Sequence, residues 1–262
     1  MCDILDVYSL GMALNLYTGG SIVLPGMEGG ALRQGVLRET NRMMTFRAAA
    51  VAVAAGGFAA TGWADVTINK SIDVDDGKTS SSGYSTVNGS IDIGDECVIK
   101  GGCNSVNGRI RVGDDSAVRD LRVVNGSIRV GDEVVIDGDV TTVNGRVAIE
   151  EGSSVSGAVT TVNGSIELDG ATVSDDVSTV NGNIELMDGS VVEGDIIIRD
   201  ANSWSSKKRR ISIYITGDSI VEGDIINEDG DAKVTVHLED GSEVVGDMKR
   251  VTVKKEEEDD DS

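Results

Sequence analysis

The sequence predicts an all-β fold: a single-stranded, parallel β-solenoid with three sides and 18–19 residues per coil. Three observations lead there. The triplet Val-Asn-Gly begins at Val87, Val106, Val124, Val143, Val162 and Val180, at intervals of 19, 18, 19, 19 and 18. Periods of this length mark stacked supersecondary units, not one compact core. Within the period a finer rhythm runs: Ile91, Cys97, Cys103 and Ile110 are 6, 6 and 7 residues apart, and Ile93, Ile99, Ser105 and Val112 repeat the pattern two positions on. Pairs at i and i+2 on one face are the period-two mark of a strand. Finally, glycine recurs (34 in 262 residues) among Val, Ile and Thr, and both features disfavour helix. One coil cannot bury its own inner face, so stacking must supply the core. Six coils plus the ends, at about 4.8 Å each, predict a rod of roughly 40 Å.

Taken in chain order, residues 43–64 ("MMTFRAAAVAVAAGGFAATGWA") come first. One positive charge, Arg47, precedes a 13-residue run of small apolar residues, Ala48 to Ala60, and Gly62-Trp63-Ala64 follows. This is the layout of a secretory signal peptide cleaved after Ala64. The run is short for a bilayer span, so no transmembrane segment is expected in the mature chain. Residues 1–42 precede this signal without repeat or periodicity, and are read as a mis-assigned upstream extension, with Met43 or Met44 the start. The alternative is a genuine extension carrying an alanine-rich helix. Residues 65–86 are expected to be an N-terminal cap and 87–253 the solenoid, with a loop insertion near 200–211. The signatures Ser190–Ile196, Ser219–Ile225 and Ser242–Met248 ("SxVxGDI" and relatives) continue the coil after the last Val-Asn-Gly. The tail, 254–262, is charged without an apolar residue and is expected to be disordered.

Charge bounds the partners. The chain has 23 Lys plus Arg against 45 Asp plus Glu, for a net −22. Residues 1–64 hold four acids (Asp3, Asp6, Glu28, Glu39) and four bases (Arg33, Arg38, Arg42, Arg47), so the imbalance lies wholly in 65–262. Nucleic acid and anionic membranes would be repelled, so neither is expected as a partner.

Several side chains are candidate sites. Asn88, Asn107, Asn125, Asn144, Asn163 and Asn181 should stack one per coil as an amide ladder at a corner, where each following Gly tolerates φ > 0. The same edge could be a repetitive ligand site, but a structural clamp is the favoured reading. The third inward column (Cys97, Ser116, Val134, Ser153, Ala171, Ser190) implies a narrow edge. Gly-Asp pairs at 94–95, 113–114 and 131–132 could align carboxylates for calcium. Their spacing departs from known calcium repeats, which favours solvated acids. Cys97 and Cys103 fall in inward columns on adjacent sides; they either form a disulfide in an oxidising compartment or are two small buried side chains. Trp204, Lys207, Lys208, Arg209 and Arg210 form a basic, aromatic interaction loop, expected to meet the acidic tail or a neighbouring subunit.

Catalysis has little support. There is no CxxC, and His237, in the alternating run "KVTVHLED", is the only histidine, so a zinc framework is not expected. No catalytic residue, metal or cofactor is expected. A polysaccharide-lyase-like enzyme is the remote alternative.

With its recurring "VxGDI" coils, hexad rhythm and charged tail, the region 85–253 resembles the bactofilins, bacterial polymer-forming cytoskeletal proteins. That resemblance implies a β-helix that associates end to end without nucleotide. Bactofilins are generally cytoplasmic or membrane-associated, whereas this chain carries an export signal. The "TVNGSI" repeat also resembles bacterial putative-adhesin solenoids of the cell envelope. The expectation is an exported, self-associating structural element of the periplasm or cell surface, the alternatives being an adhesin or carbohydrate-binding module and, for localisation, the cytoplasm.

Overall fold

A computed structural model describes residues 65–201, 209–239 and 241–256; the expected signal peptide and upstream extension lie outside them. Every regular element among the described residues is a strand, and the chain visits three parallel sheets in rotation. In one repeat these are Tyr84–Asn88 (sheet A), Ile91–Ile93 (sheet B) and Val98–Ile99 (sheet C). Ten strands stack in sheet A, ten in sheet B and nine in sheet C. Each strand pairs with its counterparts one coil before and one coil after: Leu121 lies between Cys103 and Val140. This is the three-sided parallel β-solenoid that the 18–19-residue period predicts, about 43 Å long for ten strands at about 4.8 Å.

The inner columns are aliphatic and dry. Ile91, Ile110, Ile128, Val147, Ile166 and Ile184 lie in register on sheet B, all with no exposed surface. The Val of Val-Asn-Gly does not join them. Val124, Val143, Val162 and Val180 form a separate buried ridge at the corner, with Val106 and Ala201 against it.

The corner from sheet A to sheet B shows what "TVNG" is for. The Asn88 side-chain amide donates to Asn69 Oδ1 (2.6 Å), and the same bond recurs from Asn107 to Asn88, Asn125 to Asn107, Asn144 to Asn125 and Asn163 to Asn144 (2.8–3.0 Å). Asn181 lies in register on Asn163. The hydroxyls of Thr86, Ser105 and Thr142 donate to the carbonyls of Lys70, Gly89 and Gly126 one coil below (2.9–3.1 Å). Left-handed backbone does not explain the glycines: of the six, only Gly126 has φ in that range. They are needed because a Cβ there would run into the main chain of the coil below, as on Gly145 against the Gly126 carbonyl. The ladder begins one rung earlier than the Val-Asn-Gly triplets, at "TINKSI" (67–72). Lys70 stands where later coils have Gly, and among the described residues no coil lies beneath it.

The other two corners use Asp. From B to C, Asp76, Asp95 and Asp114 each accept, through Oδ1, the backbone N–H of the Asp one coil on (3.0 Å). The Gly before the donating Asp leaves room for the carboxylate below: a Cβ on Gly94, Gly113 or Gly131 would strike it. The Gly-Asp pairs are therefore inter-coil staples, not merely solvated acids. Positive φ belongs here as well, at Glu96, Asp115 and Glu133 (54–56°). From C to A, Asp195 and Asp224 repeat the staple to Asp224 and Asp247 (2.7 Å). The small inward column is buried and hydrogen-bonds between coils: Ser116 and Ser153 accept from the N–H of Cys97 and Val134 (2.9 Å) and donate to Gly94 and Gly131 carbonyls. Val134 fits the same column with no exposure, so narrowness alone does not select serine there.

Three expectations change. The expected cap, 65–86, is part of the stack: 65–83 form a first coil, with Asp65–Thr67, Ile72–Val74 and Thr79–Ser80 joining all three sheets, and Tyr84 opens the next. Part of the tail expected to be disordered is regular: Thr252–Glu256 is a strand of sheet B, with Lys254 beside His237, while 257–262 lie outside the described residues. The insertions also share one place. Asp224 follows Asp195 at 29 residues and Asp247 follows Asp224 at 23, and the extra length lies between sheets A and B, where the Asn ladder has ended.

Close stacking makes these corners unequal to substitution. Gly145→Ala should destabilise by about 1–3 kcal/mol, whereas Lys70→Ala should stay within about 0.5 kcal/mol of wild type. Denaturant midpoints of the two variants check this, and equal midpoints would refute the close-approach account.

Candidate functional site

Sheet B carries the most differentiated outer surface. The middle residue of each strand points away from the core, and the register sets these residues in one column: Asp73, Asp92, Arg111, Arg129, Ala148, Glu167, Glu185, Tyr214, His237 and Lys254. At the C-terminal end the face widens. Arg210–Ile215 and Lys233–Glu239 run six and seven residues, against three or four in the earlier coils, because the insertions enter sheet B ahead of the usual corner.

On these longer strands Arg210 lies beside Lys233, Ser212 beside Thr235 and Tyr214 beside His237, with Lys254 one strand further. The Tyr214 and His237 rings stack, their centroids 4.6 Å apart and their planes 20° from parallel. A shallow groove is lined by Arg210, Ile211, Ser212, Lys233, Thr235, His237 and Lys254, with no carboxylate among them. In a chain of net charge −22, three cations and two hydroxyls together make a local anion-attracting surface.

The expected interaction loop divides. Trp204, Lys207 and Lys208 lie outside the described residues. Arg209 turns inward: its guanidinium pairs with Asp229, both side chains under 10% exposed, and donates to the Val180 carbonyl. Asp229 is held in turn, since Asn227 Oδ1 accepts its N–H (3.1 Å) and the Asn227 amide donates to the Ala232 and Arg250 carbonyls. Arg209 is thus a clamp between the two insertions, with Asp229 as its partner. Arg210 joins the groove. Tyr214, Lys233 and Lys254 were not singled out by the sequence reading. The alternating runs "RISIYI" and "KVTVHLE" place their residues on one face, but coils of 29 and 23 residues hide the register.

Cys97 and Cys103 are free. Cys97 sits at the B-to-C corner and donates from Sγ to the Asp75 carbonyl (3.3 Å); Cys103 opens a sheet A strand, with Val98–Ile99 of sheet C intervening. The expected alternative of a disulfide is therefore replaced by two separately buried thiols. Burial pushes the Cys103 thiol up to about 12, against the hydrogen bond with the Tyr84 backbone and helped by the Asp120 charge. It is a packed protonated thiol, not a nucleophile.

Among the described residues no group of three or more His, Cys, Asp or Glu is arranged to hold a metal ion, and no helix is long and apolar enough to cross a membrane. Comparison with known proteins returned no matching family model, no matching curated protein and no matching solved structure. Fold and surface together define the class, a three-sided parallel β-solenoid repeat protein. Within it this chain is distinguished by an Asn ladder at one corner, Asp staples at the other two and a charge-patterned second sheet.

The corner acids also set a pH dependence. Burial raises the Asp169 carboxyl above its ordinary 3.8, reinforced by a hydrogen bond with Asp188 and by the charges of Asp188, Glu151 and Asp132. A raised carboxyl favours the folded state in its protonated form. That contribution is full below 3.8 and is lost as pH rises through the raised value. Asp169→Asn should therefore raise the unfolding midpoint at neutral pH and lose its advantage below pH 3.8. A gain that grew on acidification would show the sign to be wrong.

Proposed function

We propose that the protein is an exported, non-enzymatic structural rod of the bacterial cell envelope that self-associates. The observation that carries this reading is the regularity of the stack up to its ends. The last strands, Glu243–Val244, Met248–Lys249 and Thr252–Glu256, pair only with the coil before them among the described residues. Val245 and Val253 are exposed there. Unpaired edges of this kind template further strands. The resemblance to bactofilins supports end-to-end assembly, and the signal-like segment 43–64 supports export. Electron microscopy of the purified chain across salt and calcium concentrations should show filaments. Single rods under every condition would remove end-to-end assembly from the proposal. N-terminal sequencing after fractionation should find the mature chain starting at Asp65 in the periplasm, whereas a start at Met1 in the cytosol would overturn export.

A second reading, a surface-binding module for anionic carbohydrate, is favoured by the Tyr214–His237 stack beside Arg210, Lys233 and Lys254. Rings supply faces for sugar stacking and cations supply charge recognition. Binding to acidic glycans on an array should be lost in Tyr214→Ala and in Lys233→Glu; binding unchanged in both would dispose of this reading.

A further inference from the structure

The geometry points to a second self-association surface: two copies of this chain pack face to face through sheet B, rods antiparallel, about a two-fold axis passing beside Ala148. The argument starts from the column on sheet B. Counting outward from Ala148, one coil away lie Arg129 on one side and Glu167 on the other; two coils away lie Arg111 and Glu185. Three coils away lie Asp92 and Tyr214, and four away Asp73 and His237. A two-fold axis at the centre lays each residue on its counterpart across the sequence. Arg129 then meets Glu167 of the second copy and Arg111 meets Glu185, each twice. The Tyr214 hydroxyl and the His237 ring meet the carboxylates of Asp92 and Asp73 as donors. Lys254 overhangs one step beyond the first described rung of the second copy.

The centre is suited to close approach. Ala148 is the only residue of the column without a charge, ring or polar tip, and it is 8% exposed. Sheets packed face to face stand about 10 Å apart, a gap that extended Arg and Glu side chains can bridge. Among the described residues, no ion pair within the chain engages Arg111, Arg129 or Glu185, so these charges are available to a second copy, whereas Glu167 and Asp92 would share their carboxylates with Arg146 and Arg109 of their own chain.

Alternative arrangements lose the match. Parallel rods about an axis along their length set every residue on itself, Arg111 on Arg111 and Glu185 on Glu185. Shifting the antiparallel pair by one rung sets Asp92 against Glu185 in one direction. In the other, Arg129 meets Glu185 and Asp73 meets Lys254, but Arg111 and Glu167 are left opposite Tyr214 and Ala148, so the two central arginines no longer both have a glutamate. Through the coils with insertions sheet B keeps one strand per coil, so the column stays in register. An isologous contact of this kind closes at two copies. Its specificity is electrostatic, so it weakens as salt screens the charges.

This inference deepens the self-association reading but uses a different surface from the rod ends, and a charge-swap experiment separates the two. Three forms of the full chain are compared by sedimentation velocity and small-angle scattering: wild type, Arg111→Glu/Arg129→Glu and Glu167→Arg/Glu185→Arg, with unfolding midpoints confirming that each is folded. Wild type should dimerise at low salt into a particle broader than the monomer but not twice its length, and the dimer should weaken when salt is raised tenfold. Each charge-reversed form alone should lose at least tenfold in dimer affinity, since it sets like charges against each other. Mixing the two reversed forms should restore the dimer, because all four contacts become attractive again. Wild type that stays monomeric at low salt, reversed forms that dimerise like wild type, or a mixture that fails to recover would each overturn the lateral pairing. Association that doubles the rod length and persists in both reversed forms would overturn it while supporting assembly through the ends.

Discussion

Every choice in this sequence answers to one constraint: each coil lies directly on the one before, so any side chain at a corner has its own counterpart about 4.8 Å away. Asparagine meets that condition because its amide is both donor and acceptor, and the chain of bonds from Asn163 back to Asn69 uses one of each per rung. Aspartate cannot bond to its own copy in this way, since an ionised carboxylate only accepts. It bonds instead to the backbone N–H of the next coil, as Asp95 does to Asp114. Glycine supplies the remaining requirement, clearance, beside Asn at one corner and before Asp at the other two.

The same constraint accounts for much of the composition. A triangular coil with two inward residues per side has little room for rings, in keeping with an aromatic content of 3%. Acids accumulate because two corners per coil use Asp as a backbone acceptor. The resulting repulsion is held where water screens it, except where Asp132, Glu151, Asp169 and Asp188 crowd one edge and lift the Asp169 carboxyl. Basic residues are few and are placed where they act: Arg209 between two insertions, Arg111 and Arg129 on the outer column of sheet B, and Arg210, Lys233 and Lys254 around the groove.

The insertions show how a solenoid acquires a distinct surface without losing its stack. Both enter between sheets A and B after the Asn ladder ends, and the buried Arg209–Asp229 pair links them. A buried pair of this kind is costly to break, because either partner alone would be left as an uncompensated charge. The two strands they precede are the longest in the molecule among the described residues, and those strands carry the Tyr214–His237 stack. Repetition thus makes the rod, and its interruption makes the surface that differs from coil to coil.

How much of this was legible follows from the range of each interaction. Sequence periodicity alone determined the sheet count, the inward columns and the parallel stacking, because a period of 18–19 residues with a hexad rhythm repeats in the chain itself. It missed the first coil, since "TINKSI" lacks the Gly that only later coils need and so does not match the triplet. It offered tolerance of φ > 0 as the reason for the Val-Asn-Gly glycines where clearance is the reason for five of six, because the two needs look identical in a sequence. It left open whether Cys97 and Cys103 pair, which depends on the direction of two side chains at neighbouring corners. Only the tertiary structure decided that Arg209 turns inward while Arg210 faces out. Likewise, only the register across coils of 19, 29 and 23 residues brings Tyr214 onto His237 and lines up the charges of sheet B, since the pairing of strands, not their distance along the chain, sets which residues are neighbours.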